Sequence, residues 1–362
     1  MKKIPIVITA LSVVGASFGA GTLTPSGAPA PTMKTLQQIE PRTPLIEGES
    51  GVSIDTNGTI SITQSGSYYL TTNLAVSSGD GIRINASGVT LDLNGFTIRS
   101  TVATVGNDGI NITANRVSIF NGHIESGTVY DSGASGDQYT GSGFESGIFS
   151  FSSSNNYLGI RIRNVSISGC DLHGIYLGSG DSLVESCTVE VVGSYGIKAG
   201  VVNNCSATTC GGTAISGYQI TGCRGTSTSG VGINSLGTVA NCYGYTFGTS
   251  SHSDGISAQK DVQNSHGYSS GGKGIKSGGT VANSYGQTIG TMTSSDGIYA
   301  TATVQNCYGY SKGGDGIRAK IVSYSYGRST GSDSSADGIQ ANIAIGCVVS
   351  GGENITNKYL MP

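Results

Sequence analysis

From Gly237 the chain reads GTVANCYGYTFGTSSHSDGISA, ending at Ala258, and from Gly279 it reads GTVANSYGQTIGTMTSSDGIYA, ending at Ala300. The stretches between and after them are also copies: DVQNSHGYSSGGKGIKS from Asp261 returns as TVQNCYGYSKGGDGIRA from Thr303. The tripeptide Asp-Gly-Ile, or a relative of it, places Ile at 82, 110, 148, 175, 197, 215, 233, 256, 275, 298, 317 and 339. From Ile233 the intervals alternate 23, 19, 23, 19, so two short units make a larger one of 42 residues. Self-similarity at such a period is the mark of a stacked repeat architecture.

Strand alternation sets which residues of a unit share a face. In Gly-Ile-Tyr-Ala, Ile298 and Ala300 point inward and Tyr299 outward. A second short strand follows at Val304-Gln305. Asn306 then makes a bend, because Asn tolerates the left-handed backbone region. Cys307 next points in and Tyr308 out. Asn204, Asn241, Asn264, Asn283 and Asn306 occupy the same place in their units, so their amides are expected to bond along the stack as a ladder. These strands are too short to be stable singly and hide their apolar face only against the next unit. A β-propeller needs roughly 40 to 50 residues per blade, and the nonapeptide of a calcium-binding β-roll never appears twice running. The period therefore predicts an all-β chain, a parallel β-helix of about twelve coils with an N-terminal cap. At about 4.8 Å per coil the rod is on the order of 58 Å long.

Composition agrees. Of 362 residues 59 are Gly, none is Trp and 11% are charged, against about 7% Gly and 25% charged in ordinary domains. The net charge of −3 and the scattered basic residues give no footprint for nucleic acid. Lys2 and Lys3, the apolar run Ile4 to Phe18 and the small residues Gly19 to Gly21 have the layout of a secretory signal peptide over 1–21. The run is shorter than a membrane span requires. Residues 22–46 hold five of the seven prolines and read as an extended leader. Cap strands are expected over 47–79 and the β-helix over 80–362. The expected location is secreted or on the cell surface.

From Ser67 to Ile98 the phrases SYYLTTNL and DGIRINASGVTLDLNGFTI resemble the opening coils of bacterial right-handed parallel β-helix repeat proteins of the pectate-lyase-like superfamily. That resemblance implies the fold, its handedness and export, but no single activity, since the superfamily mixes lyases, hydrolases, epimerases, adhesins and tail spikes. The hydrolase pattern of Asn-Thr-Asp, Asp-Asp, Gly-His-Gly and Arg-Ile-Lys is not matched. Arg161-Ile162-Arg163 precedes Leu172-His173-Gly174 here, without paired aspartates. The lyase pattern Arg-x-Pro-x-x-Arg has no counterpart, because no Pro lies between Pro44 and Pro362.

Four features are candidates for function. Asp80, Asp108, Asp254, Asp296, Asp315 and Asp337 enter the first strand of their coils; Lys312, Arg318 and Lys320 stand beside the last three. They read as a cation or hydroxyl site, or as turn residues whose carboxylates bond to backbone N–H groups. Tyr243, His266, Tyr285, Tyr308 and Tyr326 form an outward column whose rings suit sugar faces or a protein partner, or simply stack as like residues do in a solenoid. Cys187, Cys205, Cys223 and Cys242 recur once per coil where Ser stands later, as packed thiols or as bridges formed in an oxidising compartment. The 38-residue interval from Ile110 to Ile148 throws out a loop holding Asp131, Asp137 and Glu145. The coils after it add Arg161, Arg163, Asp171, His173 and Asp181, with Asp171 and His173 the candidate catalytic pair. No cofactor is expected unless calcium serves a lyase. The leading reading is a non-catalytic exported scaffold binding a polysaccharide or cell-surface glycan. A polysaccharide lyase or glycoside hydrolase is the second reading, and a self-associating surface or fibre protein the third.

Overall fold

The computed structural model describes residues 41–101, 106–133, 138–150, 157–178, 181–332 and 335–359; the expected signal peptide and most of the leader lie outside them. Each coil contributes three short strands, and each strand pairs in parallel with its equivalents in the coils before and after. The twelve isoleucines from Ile82 to Ile339 stand in one register, each pairing with the next. The result is a right-handed parallel β-helix of about 13 turns. Stacking begins one coil before the first Asp-Gly-Ile, because Ile60 and Ile62 pair with Ile82 and Ile84. Val52–Ile54 runs antiparallel to Ile60–Ile62 and closes that end.

A second inward column runs Val184, Val202, Ile220, Val239, Val262, Val281, Val304 and Val322, all essentially inaccessible. The turn from second to third strand is the bend read from the sequence. Asn204, Asn241, Asn264, Asn283 and Asn306 have φ of 51, 56, 48, 50 and 52°, and Tyr324 takes 49° at the same place. Asn264, Asn283 and Asn306 each donate Nδ2–H to Oδ1 of the preceding Asn at 3.2, 3.3 and 3.3 Å, forming the expected ladder.

The inward residue of the third strand narrows along the rod. In register it is Leu74, Ile98, Ile124, Ile167, Val189, Ala207, then Gly225, Gly244, Gly267, Gly286, Gly309 and Gly327. In early coils a branched side chain fills the space against the first-strand glycine, as Ile98 does at Gly81. In late coils the two backbones meet directly, and a Cβ at Gly267 would overlap the carbonyl oxygen of Gly274 and crowd Ile275. With the core this thin, buried hydroxyls replace alkyl groups. Thr288 Oγ1 donates to the Gly272 carbonyl at 2.8 Å and accepts the Gly290 N–H at 3.0 Å. The 23/19 alternation has a steric cause as well. The longer connection of one coil lies over a glycine of the next short one, Thr249 over Gly271 and Thr291 over Gly313, leaving no room for a side chain there.

Replacing Gly267 by Val should therefore destabilise the rod by about 1–3 kcal/mol or more, since overpacking forces the backbones apart. Ala207→Gly, at the same position in a wider coil, should cost only about 0.5–1 kcal/mol. Thermal melts followed by circular dichroism compare the two, and a Gly267→Val protein melting with wild type would show that the strands are not in contact.

Candidate functional site

Because the bend residue is left-handed, the residue after it turns into the rod and the next one turns out. The inward residue has a hydrogen-bonding duty. Its side chain accepts the N–H of the equivalent residue one coil earlier. Cys205, Cys223 and Cys242 take the N–H of Cys187, Cys205 and Cys223 at 3.4 Å each. Ser265 and Ser284 then continue the series at 3.2 Å, Cys307 at 3.4 Å and Ser325 at 3.1 Å. Sulfur and oxygen are interchangeable here because both accept this proton, which explains the Cys/Ser exchange. All eight cysteines are free thiols, seven of them buried. Burial pushes the Cys307 thiol up to about 11.

Outside this column lies an open groove of about 1570 Å³ along the concave corner between second and third strands. It runs past nine successive bends, from Ser186 to Gly346. The Asn ladder forms one side and Tyr243, His266, Tyr285, Tyr308 and Tyr326 the other. These rings are half-buried rather than fully exposed, because they cover one another. Tyr285 and Tyr308 stack at 4.8 Å and 4°. His266 stands edge-on between Tyr243 and Tyr285, at 5.0 and 4.5 Å, and burial lowers its pKa. Beside the column Tyr245 and Tyr268 stack at 4.4 Å and 5°. Coil spacing matches ring-stacking distance, so the faces are used within the protein. What the column turns outward is ring edges and hydroxyls, of which the Tyr285 hydroxyl donates to Gln287 Oε1 at 2.8 Å and keeps its acceptor side.

The Asp column has a backbone role. Asp80, Asp254, Asp296 and Asp315 accept the N–H of the equivalent residue in the next coil, at 2.9, 2.8, 3.1 and 2.8 Å. Arg318 bridges two of them, its Nε 2.7 Å from Asp315 and Nη2 3.5 Å from Asp296. Lys312 and Lys320, expected beside them, have no ion pair with this column among the described contacts. Among the described residues no group of three or more His, Cys, Asp or Glu side chains could hold a metal ion.

The loop after Glu125 is a short antiparallel hairpin, Val129–Asp131 with Gln138–Thr140. It lies back along the rod. Tyr139 sits over Gly193 and Gly211, and its hydroxyl meets Thr228 Oγ1 at 3.2 Å. Asp131 is exposed on it, and Asp137 lies outside the described residues. His173 is on the first-strand face in a cluster that recurs nowhere else in the described coils. It stacks on Tyr176 at 4.4 Å, with Tyr195 at 5.7 Å. Lys198 Nζ donates to Tyr176 Oη at 2.8 Å and lies over the Tyr176 and Tyr195 rings. Burial, reinforced by Lys198, lowers the His173 pKa to about 4. The Tyr195 N–H meets Nδ1 at 3.4 Å, leaving Nε2 to carry the neutral ring's proton. No hydrogen bond among those described joins Asp171 to His173; the ring is packed with Tyr176, Tyr195 and Lys198 instead. Those three partners were readable in principle, since they stand two before or one after the Ile of adjacent coils, but only once the coils are aligned.

With this geometry in view, the fold is a right-handed parallel β-helix. No family model and no curated protein matches the chain. Among solved structures it is similar to the A-module of mannuronan C-5 epimerase from Azotobacter vinelandii, at 11% identity and a TM-score of 0.42, covering 82% of this chain and 89% of that one. It is also similar to the enzymatically active domain of tailspike protein 2 of bacteriophage CBA120, at 13% identity and a TM-score of 0.28, covering 81% of this chain and 38% of that one. These are likenesses of coil architecture, and the fold assignment rests on the strand register above.

The Asp296 side chain is fully buried. Burial pushes its carboxyl up to about 7, against the pull of Arg318 and with the help of Asp315. The folded state thus holds a proton that the unfolded chain has released between about pH 4 and 7, and the contribution of this group to stability falls as pH rises through that window. Asp296→Asn should gain stability relative to wild type progressively from pH 4 to 7 and run parallel to it above. A difference in melting temperature that stays flat with pH would show that Asp296 ionises as an ordinary carboxylate.

Proposed function

We propose that this chain is an exported β-helix scaffold that binds an extended polysaccharide lying along the rod in the groove between the Asn ladder and the tyrosine column. The observation that carries this reading is the groove's uniformity. Each coil from Asn241 to Asn306 presents the same set, one amide, one small inward residue and one aromatic edge. A polymer whose own units repeat on a similar length scale can make equivalent contacts at every level, at about 4.8 Å per coil. Because the ring faces are stacked on one another, recognition is by hydrogen bonds from amides and hydroxyls.

The test separates the hydroxyls from the stack. Tyr285→Phe with Tyr308→Phe keeps both rings, losing within the protein only the bond from Tyr285 Oη to the Gln287 Oε1 at 2.8 Å, and should leave the melting temperature nearly unchanged, while retention on the bound polysaccharide in affinity electrophoresis falls roughly thirtyfold, at about 1 kcal/mol for each of two lost hydrogen bonds. Unchanged retention would make the column purely structural.

A second reading, polysaccharide lyase or hydrolase, is favoured by one observation: the asymmetric cluster of His173, Tyr176, Tyr195 and Lys198. An active site needs a single constellation, and the repeats supply many equivalent ones. Here Tyr176 and Lys198 are a hydrogen-bonded pair able to relay a proton, and His173, neutral above about pH 4, offers an Nε2–H to a substrate oxygen. Under this reading Tyr176→Phe and His173→Gln still bind polysaccharide but release no product, and Asp171→Asn shows whether that carboxylate takes part. If wild type releases neither unsaturated nor reducing sugar from acidic and neutral polysaccharides, with or without calcium, this reading falls.

A further inference from the structure

We infer that the polysaccharide taken by the groove is uncharged, an inference that rests on the binding role proposed for that groove. Across the groove each level contributes an outward residue of the second strand, the bend, the inward residue and the aromatic. In order these are Ala240-Asn241-Cys242-Tyr243, Gln263-Asn264-Ser265-His266, Ala282-Asn283-Ser284-Tyr285, Gln305-Asn306-Cys307-Tyr308 and Ser323-Tyr324-Ser325-Tyr326. None of the five levels carries an acid, a lysine or an arginine. Their one titratable imidazole is half-buried between two tyrosine rings, where burial favours its neutral form. Among the described residues the fixed charges along the groove lie before these five levels: Arg224, one coil earlier, whose guanidinium is over the Tyr243 ring at 5.5 Å, and Glu185, which stands in the Ala240 column beside the first bend.

The same coils do carry charge, most of it on the first-strand side, where Asp254, Lys273, Lys276, Asp296, Asp315 and Arg318 stand. Lys260 and Asp261 precede the second strand, and Arg328 lies on the outer face of the third strand over the Tyr310 ring. The composition therefore does not lack ions, but none of these lines the five levels. A chain of carboxylated or sulfated sugars would bring one anion to each level or two, and would exchange water for amides and phenols with no cation to meet it. A neutral chain offers hydroxyls, and the lining answers with both donors and acceptors: Asn amides, tyrosine hydroxyls and the backbone of the bends.

The experiment is affinity electrophoresis of the full chain against neutral polysaccharides (a β-glucan, a xylan, a galactomannan) and acidic ones (polygalacturonate, alginate), at low and high salt. Retention on at least one neutral polymer, unaffected by salt and absent on the acidic ones, is the expected result. The double variant Gln263→Arg with Gln305→Arg, both at exposed positions, should add a salt-sensitive retention on polygalacturonate. Wild-type retention on an acidic polymer alone, weakened by salt and by Tyr285→Phe with Tyr308→Phe, overturns the inference about charge while leaving the groove as the site. Absence of retention on every polymer, or the same retention in that double phenylalanine variant, overturns the groove reading itself, and with it this inference.

Discussion

The rest of this structure depends on the direct backbone contact between first and third strands across the core. In the later coils a first-strand glycine such as Gly274 faces a third-strand glycine such as Gly267 with no side chain between them. That approach fixes the thickness of the rod, and the thickness decides what else fits. One Ile and one Val per coil supply most of the apolar burial; Ala, Ser, Thr and Cys occupy the remaining inward positions, because a longer side chain would split the strands. The hydroxyls and thiols among them enter a dry interior, where an unpaired group is costly, and in the late coils they are paired, as Thr288, Ser284 and Cys307 are.

The pairing runs along the axis. Asp carboxylates, Cys and Ser side chains and Asn amides each bond to the equivalent residue of the neighbouring coil. Two of the most conspicuous repeated features of the chain, the Asp column and the Cys/Ser column, are thus parts of one device, in which side chains complete the backbone hydrogen bonding that turns between strands interrupt, while the Asn amides bond to one another. A residue repeated at every coil is first a structural residue. Function is then sought where a repeated side chain has a group left over for solvent, as the tyrosine edges and amides of the groove do, or where the repeat is broken, as at His173.

The two places differ in what they can do. The groove is long, and from Asn241 to Tyr326 its lining carries no acid, lysine or arginine, which suits it to holding an extended partner at many equivalent points. The His173 cluster is compact and asymmetric, with a neutral imidazole, a lysine and two phenols within reach of one another on a rigid sheet face. They lie on different faces of the rod, one at the corner of second and third strands and the other on the first strand, and each has its own chemistry.

How much of this could be read in advance follows from the range of each interaction. Coil number, strand positions and the bend at Asn264, Asn283 and Asn306 were legible because every coil solves the same local problem, and an Asp-Gly-Ile or a lone Asn marks its solution in a few residues. The exchange of Cys187 to Cys242 for Ser265 and Ser284 likewise announced a small inward column. What sequence alone could not supply was relations between coils. Whether Tyr285 shows its face or its edge depends on the 4.8 Å to Tyr308; whether Asp296 binds a cation or a backbone N–H depends on Asp315 above it. Tyr176 shares a strand with His173, but Tyr195 and Lys198 join them only because stacking brings the next coil into register. Local backbone preference and the repeat belong to the sequence; the contacts that give a side chain its pKa, its exposure and its partners are made between residues some twenty positions apart, and tertiary stacking alone decides them.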